Sequence, residues 1–247
     1  MSARQIIAVT GTDKEDFLQN LVSNDVGGLA KGLVWTALLT PQGKYLSDFF
    51  LVPEPDAILI DVAAPLARDL IQRLTMYKLR ADVTLTPVER TVTCGNGPVE
   101  AGTFADPRHP ALGWRAYDGR AGTSDIADAL RIEHIVPASG IELVPNESYL
   151  LEMNFEALNG LDFRKGCYVG QEVTARMKHK TELKKGLSRV ELDGSAPIGT
   201  ELTTEDGKPA GTLYTQADGV GLAYLRFDRA KGPMKAGNIT VKSMLRS

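Results

Sequence analysis

The order of strand-like and helix-like segments restricts the fold of this chain more than any other feature of its sequence. Pro41-Gln42-Gly43-Lys44 separates two β-rich runs and predicts a hairpin. Thr12-Asp13-Lys14-Glu15 is a capping-box pattern and predicts a helix start. The predicted elements are a strand at 6–9, a helix from Asp13, strands at 32–39, 45–52 and 57–62, a helix at 65–79 and a strand at 81–88. This mixed order predicts an α+β domain with antiparallel sheets, because a doubly wound sheet needs strict alternation.

The last quarter of the chain has a different pattern from the rest. Glycines and prolines interrupt the segment after Thr91, and a helix is predicted at 124–133. Beyond Lys185, short β-prone runs are separated by Asp-Gly turns, and they lie at 187–192, 210–215, 221–226 and 239–242. We therefore divide the chain into an α+β domain at 1–185 and a small β-barrel domain at 186–247.

Charge and cysteine content limit the classes of function. The net charge of −3 does not indicate a nucleic-acid binder, although residues 164–185, here called the basic island, carry seven Lys or Arg against two acids. The island is either a solvent-exposed charged face or a surface that binds an anionic tail. Cys94 and Cys167 are far apart with no CxxC motif, which indicates a reducing compartment and no disulfide framework. With no signal-peptide pattern and no membrane span, the sequence predicts a cytoplasmic protein.

Several common chemistries lack their residues in this chain. Tyr45 replaces the Ser or Thr that would end a P-loop after Gly43-Lys44, and neither GxSxG nor GxGxxG occurs. The three histidines are too scattered to suggest a zinc site, so no metal site is predicted. Two cysteines cannot supply the four thiolates that usually hold an iron–sulfur cluster, so any cluster would be shared or transient.

The segment RKGCYVGQE at 164–172 allows two interpretations of Cys167. A lone cysteine is usually a small buried hydrophobe. If Gly170-Gln171-Glu172 opens a helix, however, Cys167 precedes the positive end of that helix and lies near Arg164 and Lys165. That setting would favour a thiolate able to attack an electrophile, ligate a metal or form a mixed disulfide.

Asp48 also has two interpretations. It interrupts the apolar strand Tyr45-Leu46-Ser47-Asp48-Phe49-Phe50. Strand alternation by itself favours a solvent-facing carboxylate, whereas a buried carboxylate at this place would bind a ligand.

These residues together resemble one family. Lys165-Gly166-Cys167-Tyr168-Val169-Gly170-Gln171-Glu172 matches the K-G-C-Y-x-G-Q-E signature of the YgfZ family, folate-binding iron–sulfur maturation proteins related to the glycine-cleavage T-protein, an aminomethyltransferase. Further matching segments are 17–19, 24–26, 42–44 with Asp48, 77–80 with 82–83, and 130–133. The resemblance implies two T-protein-like α+β lobes around a central folate pocket, followed by a small C-terminal β-barrel.

The resemblance also implies roles for individual residues. Asp48 matches the catalytic carboxylate of the T-protein, Arg131 matches a position lining the pocket, and Cys167 is the thiol that distinguishes the YgfZ branch. Further cofactor-binding candidates come from the signature itself, namely Lys165, Tyr168, Gln171 and Glu172. The implied cofactor is tetrahydrofolate, with the basic island receiving a polyglutamate tail. Some members carry tryptophans where this chain has Arg4 and Ala127, so its pterin contacts are expected to differ.

The function implied is that of a tetrahydrofolate-binding accessory factor for the assembly or repair of 4Fe-4S clusters in client enzymes. Its expected partners are reduced folate and iron–sulfur clients or assembly proteins, with no membrane or nucleic acid, and the protein is expected to be a monomer. One alternative is a folate-dependent one-carbon transferase of the aminomethyl type, which leaves open whether the protein is an enzyme. Another is a tRNA-modification factor, which the basic island and a resemblance to the related folate domain of tRNA-modifying GTPases support.

Overall fold

The computed structural model describes residues 3–123, 125–180 and 182–244. Its α-helices are α1 (Lys14–Gln19), α2 (Ala64–Lys78), α3 (Asp128–Glu133) and α4 (Gln171–Lys180). Its strands are β1 (Arg4–Thr10), β2 (Val34–Leu39), β3 (Tyr45–Pro53), β4 (Ile58–Ala63), β5 (Thr84–Val88), β6 (Thr93–Gly95), β7 (Phe104–Ala105), β8 (Trp114–Ala116), β9 (Lys185–Leu192), β10 (Thr200–Thr204), β11 (Pro209–Ala217), β12 (Val220–Arg226), β13 (Met234–Ala236) and β14 (Ile239–Ser243).

The first lobe, β1–β5 with α1 and α2, is built on an antiparallel sheet of order β2-β3-β4-β1-β5. Both faces of its central strands are buried. Phe49 packs in a core with α1 and α2, whereas the next residue, Phe50, packs in the core shared with the second lobe. Alternate residues of β3 therefore enter two different cores, and neither face of this strand meets solvent.

The second lobe comprises residues 92–180. It contains a small sheet of order β6-β8-β7, the helices α3 and α4, and a long irregular segment between them. Phe155 of this segment stacks on Trp35 of β2, with ring centroids 4.1 Å apart. Stacked aromatic rings of this kind add to the free energy gained by burial, so this pair helps to hold the two lobes together.

The six strands β9–β14 form a closed barrel of order β10-β11-β12-β9-β14-β13. Closure pairs every edge, and the barrel has its own apolar core, which includes Val190, Leu213 and Met234. Leu187 and Leu222 belong instead to the large core of the lobes, so the barrel packs against them.

The predicted α+β class with antiparallel sheets and a C-terminal barrel is confirmed. The capping box predicted at the start of α1 is wrong: the hydroxyl of Thr12, which would cap the helix in that pattern, donates instead to the Asp82 carboxylate at 3.0 Å. The predicted helix at 124–133 is observed as Asp128–Glu133, and Ser124 lies outside the described residues. In the part of the chain that the structure describes, no helix combines the length and apolar character needed to cross a membrane.

Candidate functional site

Asp48 lies in the middle of β3 and is only 6% exposed. Its Oδ1 accepts hydrogen bonds from the Tyr45 hydroxyl at 2.8 Å and from the Ser139 hydroxyl at 2.6 Å. Its Oδ2 accepts one from the Trp35 indole N–H at 3.0 Å. Burial and the negative charge of Asp48 raise the pKa of Tyr45 well above its usual value, so this hydroxyl keeps its proton and remains a donor.

The three donors leave one acceptor position on the carboxylate. An ionised carboxylate can accept about four hydrogen bonds, two on each oxygen. Oδ1 has two partners and Oδ2 has one, and Asp48 lines a pocket between the lobes. Oδ2 of Asp48 is therefore the atom that could accept an N–H or O–H donor of a ligand.

The solvent-facing interpretation of Asp48 that alternation favoured is wrong. Alternation separates core from solvent only where one face of a sheet is exposed. Here the second lobe covers the face that α1 and α2 do not cover, so both faces of β3 are buried.

Four arginines line the pocket that Asp48 faces, and we call it the arginine pocket (Arg4, Asp48, Phe50, Arg108, Arg115, Arg131 and Ser139 among its lining residues). Guanidinium groups surround the Phe50 ring: Arg115 lies 4.1 Å from its centroid, Arg108 4.9 Å and Arg4 6.0 Å. Cations over an aromatic face are attracted to its π electrons. The free volume of about 50 Å³ admits a few water molecules, not a bicyclic ring.

Buried carboxylates balance these arginines. Asp106 holds Arg108 through two hydrogen bonds of 2.9 and 2.7 Å. Asp61, which is fully buried, receives Arg4 at 2.6 Å and Arg115 at 2.8 Å. Burial raises the pKa of Asp61, but the two cations outweigh it and the net pKa is lowered. Arg4, at the place where some family members carry a tryptophan, is therefore committed to a buried ion pair.

Arg131 is 2% exposed and lies at the junction of the second lobe and the barrel. Its guanidinium donates to Glu142 at 2.6 Å and to Asp128 at 2.8 Å. Glu142, fully buried, in turn accepts the hydroxyl of Thr215 from β11 at 2.5 Å. Arg131 thus lines the arginine pocket, while most of its donors serve this network.

Lys165 anchors one side of the signature segment, residues 165–172. Its ammonium group donates to the backbone carbonyls of Gln19 and Val22, each at 2.6 Å, and of Asn24 at 3.1 Å. Gln19 ends α1, so a cation here also meets the negative end of a helix. Burial lowers the pKa of Lys165 to about 8, which leaves the ammonium form in the majority at neutral pH.

Tyr168 and Gly170 anchor the other side of the signature segment. The Tyr168 ring is buried in the large core, and burial raises the pKa of its hydroxyl to about 12. Gly170, with φ of +84°, crosses the β2–β3 turn so closely that a Cβ there would lie 2.6 Å from the carbonyl oxygen of Thr40. Only glycine fits this crossing.

Cys167 is exposed between these two anchors. Gly166 beside it has no heavy atom within 4 Å of the place where a Cβ would be, so the surroundings of the thiol are open. Helix α4 starts at Gln171, as predicted, four residues after the thiol. In the first turn of α4, the side chain of Gln171 is half-buried and that of Glu172 is exposed. Neither side chain makes a hydrogen bond to a described residue.

A wide cleft runs beside the signature segment, and we call it the signature cleft (Asn24, Lys31, Trp35, Glu156, Asn159, Asp162, Phe163 and Arg164 among its lining residues). Its free volume is about 580 Å³, within the usual range for small-molecule sites. Trp35 lines this cleft with its ring and holds Asp48 with its N–H, so one indole lies between the cleft and the arginine pocket.

The predicted site residues therefore fall into two groups. Asp48 and Arg131 line the arginine pocket, whereas Cys167 lies with Lys165, Tyr168, Gln171 and Glu172 in the signature segment. Sequence reasoning missed Tyr45 and Ser139 as partners of Asp48. The three-residue spacing of Tyr45 and Asp48 gives no signal in a strand, and Ser139 lies 91 positions away. Within the described ranges, no group of three or more His, Cys, Asp or Glu residues could hold a metal ion.

Comparison with known proteins gives consistent matches. A family model described as the CAF17 C-terminal beta-barrel domain matches residues 184–245. The mouse protein named "Iron-sulfur cluster assembly factor IBA57, mitochondrial" is 31% identical, over 95% of this chain and 78% of its own length. An IBA57 homologue of Mycosarcoma maydis is 32% identical over 74% of this chain, which spans about half (54%) of that relative.

A solved structure supports the fold. The crystal structure of the glycine cleavage system aminomethyltransferase T from Bartonella henselae covers 97% of this chain with a TM-score of 0.72. The alignment spans 82% of that protein, at 15% sequence identity, so the likeness concerns the fold.

The names of the relatives contradict the prediction of a cytoplasmic protein, because both the mouse and the fungal protein are described as mitochondrial. That prediction combined two widely spaced cysteines with the lack of a signal-peptide pattern and of a membrane span. A low cysteine content indicates a reducing compartment but does not distinguish one such compartment from another.

Proposed function

The chain belongs to the IBA57 family of iron–sulfur cluster assembly factors, and on this premise we propose that it assists the assembly or repair of 4Fe-4S clusters with Cys167 as its reacting thiol. The resemblance to iron–sulfur maturation factors is thereby confirmed, although the family is IBA57 and not YgfZ itself. The observation that carries the proposal is the exposed thiol of Cys167, which Lys165 on one side and Tyr168 with Gly170 on the other hold in place.

The chain can offer a cluster one thiolate. Cys94 is 3% exposed, its thiol lies 3.3 Å from a guanidinium nitrogen of Arg115, and burial raises its pKa. Iron–sulfur clusters are usually held by four thiolates. A cluster that Cys167 ligates would therefore take its remaining ligands from another protein, and the cluster is cargo that passes through a shared site.

We also propose that reduced folate binds at Asp48, with the open position on Oδ2 accepting an N–H of the pterin. Tetrahydrofolate supplies one-carbon chemistry when bound. The open acceptor on Oδ2 suits a pterin N–H, but the arginine pocket has room for a few waters only. A pterin would need this pocket to widen, and Arg108, whose guanidinium lies over both Trp35 and Phe50, is a lining side chain that would have to move.

The mixed charge of the signature cleft limits how many cations a folate polyglutamate tail could bind there. Arg164 is exposed but already forms an ion pair with Asp162 at 3.4 Å, and Lys178 of the basic island forms one with Glu156 at 2.6 Å. A polyglutamate tail would therefore find fewer open cations here than the count of the basic island suggests.

Rescue of client enzymes tests the role of Cys167. Cells lacking this protein would receive the wild type, Cys167→Ser or Cys94→Ala, and the activities of their iron–sulfur enzymes would be measured under oxidative stress. We expect Cys167→Ser to fail, since serine fits the exposed position yet cannot provide a thiolate. Cys94→Ala, matched for loss of a thiol, should restore the activities if it accumulates normally. Full rescue by Cys167→Ser at wild-type protein levels would refute the proposed role of this thiol.

Calorimetry against tetrahydrofolate tests the role of Asp48. Asp48→Asn should keep the fold, because the Tyr45 and Ser139 hydroxyls can turn to accept from an amide N–H, at a cost of about 1 kcal/mol. Folate affinity should fall by about tenfold or more, because the charged acceptor is lost. Asp228→Asn, on the barrel surface, is the control. Equal affinity of the wild type and Asp48→Asn would remove Asp48 from the site.

A one-carbon transferase is the second candidate, because the fold is that of an aminomethyltransferase and Asp48 offers an acceptor in a pocket. Such a reaction needs Asp48 and no thiol. Rescue by Cys167→Ser combined with failure of Asp48→Asn would favour the transferase over the assembly factor.

A further inference from the structure

The end of helix α2 exposes several large apolar side chains close together. Met76 is 71% exposed, Tyr77 40% and Leu79 88%. The other exposed large apolar residues in the described part of the chain, Val99, Ile198 and Met244, are far apart in sequence. Clustered exposed apolar side chains with polar surroundings are typical of interaction sites, whereas single ones are ordinary.

The backbone at Leu79 makes this exposure costly. Leu79 follows the last residue of α2 with φ of 45° and ψ of −105°, a conformation that glycine adopts freely and leucine does not. A glycine there would remove both the strain and the exposed side chain. Packing within the described structure does not compensate for either cost, because the side chain points into solvent. The leucine therefore indicates a contact outside this molecule.

The charges around these residues are mainly basic. Arg73 lies one turn before Met76 and Tyr77, and Lys78 and Arg80 flank Leu79. The charge of Lys78 helps to lower the pKa of Asp82, whereas neither Arg73 nor Arg80 forms an ion pair with a described residue. Two acids lie near these cations. Asp69 lies one helical turn before Arg73, on the side away from Met76 and Leu79 in sequence. Asp82 accepts hydrogen bonds from the backbone and hydroxyl of Thr12, which lower its pKa. The open charge beside the apolar residues is thus positive.

We propose that the α2-end patch, formed by Arg73, Met76, Tyr77, Lys78, Leu79 and Arg80, is a docking surface for a protein partner whose binding face carries apolar side chains bordered by carboxylates. Apolar contact removes Met76 and Leu79 from water, and the partner's carboxylates neutralise Arg73 and Arg80. The side chain of Leu79, which a strained backbone holds in solvent, is the central anchor. The proposal is independent of the chemistry of Cys167 and Asp48, because no residue of the patch lines the arginine pocket or the signature cleft.

Selection from a phage-displayed random peptide library on the immobilised full chain tests this proposal. Selected peptides would be synthesised and their Kd measured by fluorescence anisotropy. We expect sequences that combine apolar residues with Asp or Glu, and at least about tenfold weaker binding to Leu79→Gly and to Arg73→Glu/Arg80→Glu. Leu79→Gly should keep or raise the thermal midpoint, because it relieves backbone strain, so its loss of binding cannot be attributed to unfolding.

Two control variants and two further assays complete the test. Ile198→Ser removes a single exposed apolar side chain, which belongs to no such cluster, from the barrel domain and should leave the Kd unchanged. Cys167→Ser should also bind normally, so that failure of this proposal and failure of the cluster-assembly proposal are distinguishable. Failure to enrich such peptides, or peptide binding unaffected by the patch variants, would overturn the proposal. The proposal would also be overturned if the wild type sedimented with phosphatidylglycerol vesicles and Leu79→Gly did not. Self-association of the wild type in analytical ultracentrifugation that Leu79→Gly abolishes would overturn it as well.

Discussion

Two residues of the same type meet opposite environments in this molecule. Cys167 is exposed between two anchored stretches of chain, whereas Cys94 is buried in β6 beside Arg115. Reactivity of a thiol depends on access and on the thiolate fraction. Burial lowers both for Cys94, since it blocks reagents and raises the pKa of that thiol.

Alkylation of the native protein should therefore modify one thiol quickly and the other slowly. We expect iodoacetamide at neutral pH to label Cys167 within minutes, while Cys94 reacts at a rate limited by local or global opening. Peptide mass spectrometry at successive times distinguishes the two sites, and urea provides the fully reactive control. Labelling of both cysteines at equal rates in the folded protein would contradict the buried position of Cys94.

At the scale of the element, the signature segment shows how a loop can be held without regular structure. Lys165 binds the carbonyls at the end of α1, and Gly170 fits against the β2–β3 turn. Val169 packs against the core of the first lobe and Tyr168 enters the core that both lobes share. Lys165, Tyr168, Val169 and Gly170 thus hold the loop around Cys167 in place. These contacts account for the residue types at the four positions without a bound ligand.

Substitution of Lys165 tests this support. Lys165→Met keeps an unbranched side chain of similar length but leaves three carbonyl acceptors without their donor, so we expect unfolding free energy to fall by about 2–4 kcal/mol. Hydrogen exchange of the signature segment should accelerate. Lys178→Met removes an exposed ion pair with Glu156 and should cost less than about 1 kcal/mol. Similar losses for the two variants in urea denaturation would show that Lys165 is no anchor.

Local patterns predicted the elements whose signals are local. The hairpin of β2 and β3, the long helix α2 and the start of α4 follow from turn residues, periodicity and glycine placement. The strands β6, β7, β8 and β13 have two or three residues, too few for any periodicity, and were not predicted. The five-residue strand β10 was not predicted either. The capping box failed because Asp82, 70 positions away, accepts the Thr12 hydroxyl. Local sequence carries no information on such distant partners.

The candidate site was predictable only in part for the same reason. A recognisable signature marked Cys167, and resemblance marked Asp48, but the alternation rule misjudged the burial of Asp48. Its failure has a physical cause, since the second lobe covers a sheet face that a single sequence pattern treats as exposed. The donors to Asp48 come from β2, β3 and the segment after α3, and only the folded chain brings them together.

At the scale of the whole molecule, a buried polar network joins the second lobe to the barrel. Glu142 accepts from Arg131 and from the backbone N–H of Ala138 with one oxygen, and from Thr215 of β11 with the other. A buried ion pair of this kind adds little net stability over apolar packing but is costly to break. The network therefore fixes how the barrel sits against α3, next to the arginine pocket that Arg131 lines.

Breaking this network should destabilise the molecule far more than removing its exposed branch. Glu142→Ala leaves the buried guanidinium of Arg131 with only Asp128 as counter-ion, and we expect a loss of about 3–5 kcal/mol of unfolding free energy. Asp128→Ala removes the other carboxylate, whose side chain is 55% exposed, and should cost less than about 1 kcal/mol. Urea denaturation followed by tryptophan fluorescence reports on the lobes, because Trp35 and Trp114 both lie there, and far-ultraviolet circular dichroism includes the barrel strands. Equal losses for the two variants would mean that Arg131 depends as much on the exposed partner as on Glu142, and the buried network would then not be what holds the barrel to the lobe.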